Sequence, residues 1–153
     1  MSSRPAEQPD FGILLHLAFA AFKEDLHRQL VKDGFDDLGN SFGFVFRALD
    51  AAPLSLRELA GRLGISPQGA LKIVDEMVAK DYVLRQADPE DRRITRLTLA
   101  PRGRKAIAAA KRCHRRCEAR LAEKLGQRRV TDTRAVLAEI AAAAGEAGVV
   151  RPF

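Results

Sequence analysis

Apolar positions along the 153-residue chain recur in two rhythms, one of three to four residues and one of two. The first rhythm opens with Phe11, Leu14, Leu15, Ala18, Phe19, Phe22, Leu26 and Leu30. Such spacing predicts a long helix, with Asp10 as its cap and Gly34 as its stop. The stripe is too rich for a lone surface helix and calls for a partner helix or a partner chain. A second helix is expected over about 39–51, carrying Phe42, Phe44, Val45, Phe46 and Leu49. Asn40 or Ser41 stands ready to cap it, and Pro53 stops it.

From Leu54 onward the elements shorten. LSLRELAGRLG predicts a helix over 56–63. Ser66-Pro67 reads as a cap followed by proline at the first helical position, opening a helix over 67–80. The rhythm then changes to two. YVLRQA and ITRLTL are of strand type, and the charged, turn-rich ADPEDRR between them makes the pair a β-hairpin. Pro101 opens the longest helix, over 101–125, with Ile107, Ala110, Cys113, Cys117, Leu121 and Leu125 in register and Gly126 as its end. Thr131 or Asp132 is the expected cap of a last helix facing inward through Val136, Leu137, Ile140 and Ala144, with Gly145 and Gly148 closing the fold.

The fold class is therefore mainly α with a small β-hairpin. Its expected organisation is a flexible polar arm over 1–10, N-terminal helices over 11–51, a compact module over 52–100 and C-terminal helices over 101–153.

The module carries the clearest local logic. Two short helices that cross steeply need a small residue at the crossing, and Ala60 supplies it. Gly64 can take positive φ in the turn, Ile65 points back inward and Ser66 caps the next helix. Leu59, Leu63, Ile65, Ala70 and Ile73 sit at spacings that bury one face of both helices. Two packed helices occur in many helical proteins, and that is the plainer reading. A hairpin with a basic loop directly after the second helix favours the sharper one: helix, turn, helix and a two-stranded wing is the layout of a winged helix-turn-helix.

In that layout the start of the second helix faces the bases of the major groove. Here it holds Ser66, Pro67, Gln68, Gly69, Leu71 and Lys72. Gln68 suits adenine, and Lys72 suits guanine or a phosphate. Leu71 is either core or a contact for a thymine methyl. Gly69 costs the helix about 1 kcal/mol against alanine, with close backbone approach to DNA as the gain. At the wing tip, Arg92 and Arg93 suit a narrow minor groove, and Asp91 is placed to hold and aim Arg93. A solvated, salt-bridged hairpin tip is the plainer alternative. Arg96 on the second strand completes the set of candidate contacts.

Charge agrees with this reading. Lys and Arg number 26 against 20 Asp and Glu, a net charge of +6, which attracts polyanions. No apolar run approaches the length of a membrane span, and residues 1–10 lack the basic-then-apolar order of a signal peptide, so a cytoplasmic location without membrane contact is expected. The sequence contains no Gly-rich phosphate loop, no nucleophile elbow and no cysteine pairs spaced for zinc. An enzyme is not expected, nor is a cofactor or metal.

RRCHRRC places Cys113 and Cys117 one helical turn apart. Three readings compete: core packing, a thiol sensor activated by Arg112, Arg115 and Arg116, and a metal site with His114. A disulfide within an intact helix is awkward geometrically, so oxidation would have to bend the helix or recruit a partner. His16 lies among apolar residues and reads either as a satisfied core histidine or as a hydrogen-bonding group of a ligand pocket with Phe19, Phe42 and Phe46.

The stretch LRELAGRLGISPQGALKIVDEMVAKDYVLRQADPEDRRITRLTLAPRGR resembles the DNA-binding core of MarR-type regulators, over about 54–105. Its most specific part is the wing: an Asp-Pro start, Asp-Arg-Arg, a strand and a Leu-x-x-x-Gly exit. The resemblance implies a homodimer interlocked through the first and last two helices. The two modules would lie about 34 Å apart and read a near-palindrome in double-stranded DNA. It also implies repression relieved by a small aromatic or phenolic effector. Ala100 stands in place of the usual capping threonine, Asp81 in place of glycine, Lys72 in place of arginine, and Gly69 where a polar residue is common. These changes bear on the target sequence rather than the fold. The alternatives are a redox-responsive regulator working through Cys113 and Cys117, or a winged helix used only for protein contacts. If the cysteines only pack, peroxide leaves DNA binding unchanged in both the parent and Cys117→Ser, as read by mobility shift. Loss of binding in the parent alone would make Cys117 a sensor.

Overall fold

The computed structural model describes residues 9–146, with side chains to residue 143. Most of the expected arm, the Ala144 side chain and the closure at Gly148 lie outside the described residues. Six helices and one hairpin follow in the order α1 (Phe11–Lys32), α2 (Phe42–Ala51), α3 (Leu56–Leu63), α4 (Pro67–Ala79), β1 (Val83–Ala87), β2 (Thr95–Leu99), α5 (Pro101–Leu125) and α6 (Gln127–Glu146). This is the expected mainly helical fold with a hairpin wing. Two compact units divide the chain between Asp36 and Asp37, so α2 belongs with the winged elements.

The first unit is α1 and its exit turn. Gly34 adopts φ 88°, and the Phe35 amide donates to the Leu30 carbonyl at 2.9 Å, closing the helix end. Asp10 has extended backbone but makes no side-chain capping bond. Only Leu30 is buried within the helix, while Phe11 and Phe19 are 61% and 60% exposed.

In the second unit, α3 starts with a capping box. The Ser55 hydroxyl accepts from the Glu58 amide, and the Glu58 carboxylate accepts from the Ser55 amide. Gly64 ends α3 in the left-handed region at φ 63°, and the Ile65 amide returns to the Ala60 carbonyl at 3.1 Å. Ser66 caps α4 through the Gly69 amide at 3.0 Å. The turn of the helix pair thus forms as its residue types require.

The hairpin is antiparallel, with Val83 opposite Leu99 and Ala87 opposite Thr95. Leu54 adds an isolated bridge to Leu97, so the lead-in to α3 lies along the second strand. Period-two alternation places Leu97 and Leu99 inward, with the half-buried Arg96 and Thr98 on the opposite face.

Three rings centre the core. Phe42, Phe46 and Tyr82 meet edge to face, with centroids 5.5 to 6.3 Å apart. Such pairs contribute about 0.5–1.5 kcal/mol each beyond their burial. Val45, Leu59, Val74, Met77, Val83 and Leu97 pack as fully buried neighbours. Leu59, Leu63 and Ala70 are buried as the spacing requires, while Ile65 and Ile73 are half-buried. The deep contribution of α4 comes from Val74 and Met77 instead.

Two helix boundaries depart from expectation. α2 begins at Phe42, after a turn in which the Phe42 amide donates to the Gly39 carbonyl at 3.1 Å, and Ser41 makes no capping bond. α6 begins at Gln127, before Thr131 and Asp132. Thr131 lies inside the helix and donates its hydroxyl to the Gln127 carbonyl at 3.1 Å, which removes it as a cap.

α5 starts against the turn that joins α4 to β1. Ala100 has extended dihedrals and no side-chain cap, leaving Pro101 as the first helical residue. The Tyr82 carbonyl accepts from the Ala100 amide at 3.0 Å. A Cβ on Gly103 would lie 2.2 Å from that same carbonyl oxygen. Gly103→Ala is therefore expected to destabilise the protein by about 2 kcal/mol or more through overpacking. Chemical denaturation checks this, and an unchanged midpoint would show that the helix can move away.

Candidate nucleic-acid interface

The residues proposed at the start of α4 share one outward surface. Ser66, Pro67, Gln68, Leu71 and Lys72 are exposed, and Gly69 is half-buried. Leu71 is 40% exposed, which places it outside the core. Gly69 stands close to the cap: an added Cβ would approach the Ser66 hydroxyl to 3.3 Å. The glycine therefore serves the tight first turn of α4, and its amide is taken by Ser66.

The acidic side chains of α4 are matched by bases. Arg85 on β1 pairs with Asp75, and Lys80 pairs with Glu76 at 2.7 Å. Lys72 is exposed on the same helix. The pair of Glu76 and Lys80 is legible from spacing alone. The pair of Arg85 and Asp75 depends on the tertiary fold.

The wing tip is built on Asp88, which is 8% exposed and the one buried charged residue among those described. One carboxylate oxygen accepts the Glu90 and Asp91 amides at 2.8 and 3.2 Å. The other accepts Arg96 Nε at 2.6 Å. Arg96 continues to Glu58 at 2.6 Å and so joins the wing to the capping box of α3. Arg96 is thereby engaged inside the protein from both sides of its guanidinium. Arg93 projects with its side chain 89% exposed. Asp91 accepts from Arg93 Nε and Nη2 at 3.0 Å each and from its backbone amide at 3.0 Å. A bidentate pair of this kind restricts the guanidinium to few orientations. Arg92 is exposed beside it.

Electrostatics follow this wiring. Arg96, then the amides of Glu90 and Asp91, hold the Asp88 carboxyl below the usual range. The Ser55 amide first, and Arg96 after it, do the same for Glu58, and Arg93 does so for Asp91. Arg93 and Arg96 are held more firmly protonated in return.

The ligand-pocket candidates are divided between the two units. Phe42 and Phe46 are 2% and 5% exposed, and their faces are occupied by each other and by Tyr82. The expectation that these two line a pocket gives way to a role in the core. His16 and Phe19 are exposed on α1, in the other unit. Cys113 is buried at 2% and Cys117 is half-buried, both as free thiols. Burial favours the packing reading for Cys113. The described residues include no cluster of three or more His, Cys, Asp or Glu side chains that could hold a metal. No described helix is long and apolar enough to cross a membrane.

Residues 44–94 match the sequence model of the MarR family. Comparison with curated protein sequences gives no match. Solved structures match over most of the chain. The transcriptional repressor CouR, determined on a 23-mer DNA duplex, is 29% identical, with 86% of this chain and 92% of that chain covered and a TM-score of 0.65. RV1404 from Mycobacterium tuberculosis is 19% identical, with 93% and 99% covered and a TM-score of 0.71. YusO from Bacillus subtilis is 21% identical, with 88% and 94% covered and a TM-score of 0.66.

The carboxylates of the wing are stabilised in their charged form. Their contribution is therefore complete above the ordinary carboxylate range near about pH 4 and is lost only as pH falls through the lowered values. Arg96→Gln should raise the titration midpoint of Asp88 toward the ordinary range, as followed by the carboxyl carbon shift in NMR. An unmoved midpoint would show that Arg96 does not hold the wing tip.

Proposed function

From the premise that residues 44–94 form a winged helix-turn-helix of the MarR family, we propose that the chain is a DNA-binding transcriptional regulator. It acts as a homodimeric repressor on a near-palindromic operator. The observation that carries this reading is the joint presentation of two elements: the exposed start of α4 and an arginine tip held by Asp91.

Each has its part in binding. Gln68 and Lys72 read base edges or phosphate in the major groove, and Leu71 offers an apolar contact to a thymine methyl. Ser66, Pro67 and Gly69 bring the helix start close to the duplex, where amides and the helix dipole favour phosphate. Arg92 and Arg93 enter the adjacent minor groove. Arg96 is assigned a bracing role rather than a contact, because Asp88 and Glu58 already engage it. The DNA-bound structure of CouR supports the same use of the fold.

Pairing of two copies is supported by apolar side chains left outward on both outer helical regions. Ile13, Leu14 and Leu17 on α1, and Val136, Leu137 and Ile140 on α6, are each exposed by 41% or more. Exposed apolar area on this scale favours a partner surface.

Affinity for duplex DNA carrying the upstream region of the protein's own coding sequence, followed by fluorescence anisotropy, tests the proposal. Binding should weaken by roughly 10³-fold between 50 and 200 mM salt if about six phosphates are contacted. Flat salt dependence would favour a module for protein contacts. Arg93→Ala should weaken binding about tenfold with the fold and oligomeric state retained. Parental affinity in that variant would remove the wing from the interface.

A further inference from the structure

A second polar network joins three segments far apart in sequence. Its centre is Asp37, the first residue of the second unit. The Asp37 carboxylate accepts from the Tyr82 hydroxyl at 2.5 Å and from two nitrogens of Arg102 at 3.1 Å each. The same guanidinium donates to the Lys80 carbonyl, at the C-cap of α4, at 2.7 Å. Lys80 in turn donates through Nζ to the Asp37 carbonyl at 2.8 Å and to Glu76 at 2.7 Å. Arg102 also lies over the Tyr82 ring, 4.4 Å from its centroid, and Lys80 lies 5.2 Å from the centre of Phe42.

This arrangement surrounds a backbone that needs support. Asp81, between Lys80 and Tyr82, is the one non-glycine residue with positive φ among those described, at 59°. A left-handed aspartate is disfavoured by about 1–2 kcal/mol and persists where its surroundings impose it. The turn it makes sets the angle at which α4 gives way to β1. That angle fixes the spacing between the start of α4 and the wing tip. The residues that impose it come from the segment entering α2 and from the first turn of α5.

We infer that Asp37 is a positioning residue for DNA binding: with Arg102 and Tyr82 it clamps the α4–β1 turn and so holds the α4 surface and the wing at the separation a duplex requires. Asp37 touches no DNA in this scheme. The inference rests on the DNA-binding reading for its consequence, whereas the clamp itself is a property of the free protein.

Loss of the clamp lets the turn sample other angles, and apparent affinity falls with the fraction of molecules still competent to bind. Asp37→Asn keeps size but removes the charge that holds Arg102. Arg102→Lys keeps charge but cannot span both Asp37 and the Lys80 carbonyl with its compact ammonium. Both variants, in the full chain, are expected to speed amide exchange over residues 80–84 about tenfold or more, while α3 exchanges as in the parent. Kd for the upstream duplex should rise about tenfold in each. The slope of log Kd against log salt should stay parental, because the phosphate contacts of the bound state are intact. Lys72→Ala supplies the contrast, with a shallower slope and parental exchange. Parental exchange over 80–84 in Asp37→Asn overturns the clamp. Faster exchange with parental Kd overturns its role in positioning. A parent protein that ignores duplex DNA defeats the DNA-binding reading alone, since the exchange measurement still decides the clamp.

Discussion

Where the first turn of α5 meets the turn between α4 and β1, the carbonyl of Tyr82 and the bare Cα of Gly103 approach too closely for any side chain between them. That contact brings the first turn of α5 down onto the β1 entry. It places Arg102 beside Asp37 and Tyr82, and it lets the Tyr82 ring close the aromatic core with Phe42 and Phe46. The winged unit is thus assembled around one tyrosine whose backbone, ring and hydroxyl each hold a different element. The wing starts from that arrangement, because β1 leaves the same residue.

Charge in this protein serves direction more than cohesion. Surface ion pairs contribute little to stability, typically about 0–1 kcal/mol. Their geometry is another matter. Asp88 and Arg96 shape the wing tip and join it to the start of α3, while Asp91 constrains the outermost arginine. Acidic residues that look unsuited to a polyanion partner are engaged by bases within the fold, on α4 and in the wing alike. Lys72, Arg92 and Arg93 remain exposed.

The outer helical regions follow a different rule. Their apolar stripes are regular, yet α1 buries only Leu30, and in the middle of α6 Val136, Leu137 and Ile140 stay outward. Regular apolar spacing therefore identifies a helix without revealing whether its surface is satisfied within one chain.

Local chemistry settled much in advance. Ser55 with Glu58, Gly64, and Ser66 with Pro67 are signals that act within a few residues, and α3 and α4 began where those signals stand. The alternation of β2 and the Gly126 stop are of the same kind. Where a residue had two local options, sequence was ambiguous: Thr131 bonds back along α6 rather than capping it, and Leu71 faces outward rather than inward. Pairings between distant segments were decided only on folding. Asp37 with Arg102, Arg96 with Glu58, and Phe46 with Tyr82 are separated by 36 to 65 positions. No periodicity connects such residues, because their meeting depends on how helices cross and not on the repeat of any one of them. The start of α4 and the wing arginines were thus readable along the chain, while the contacts that hold them required three dimensions.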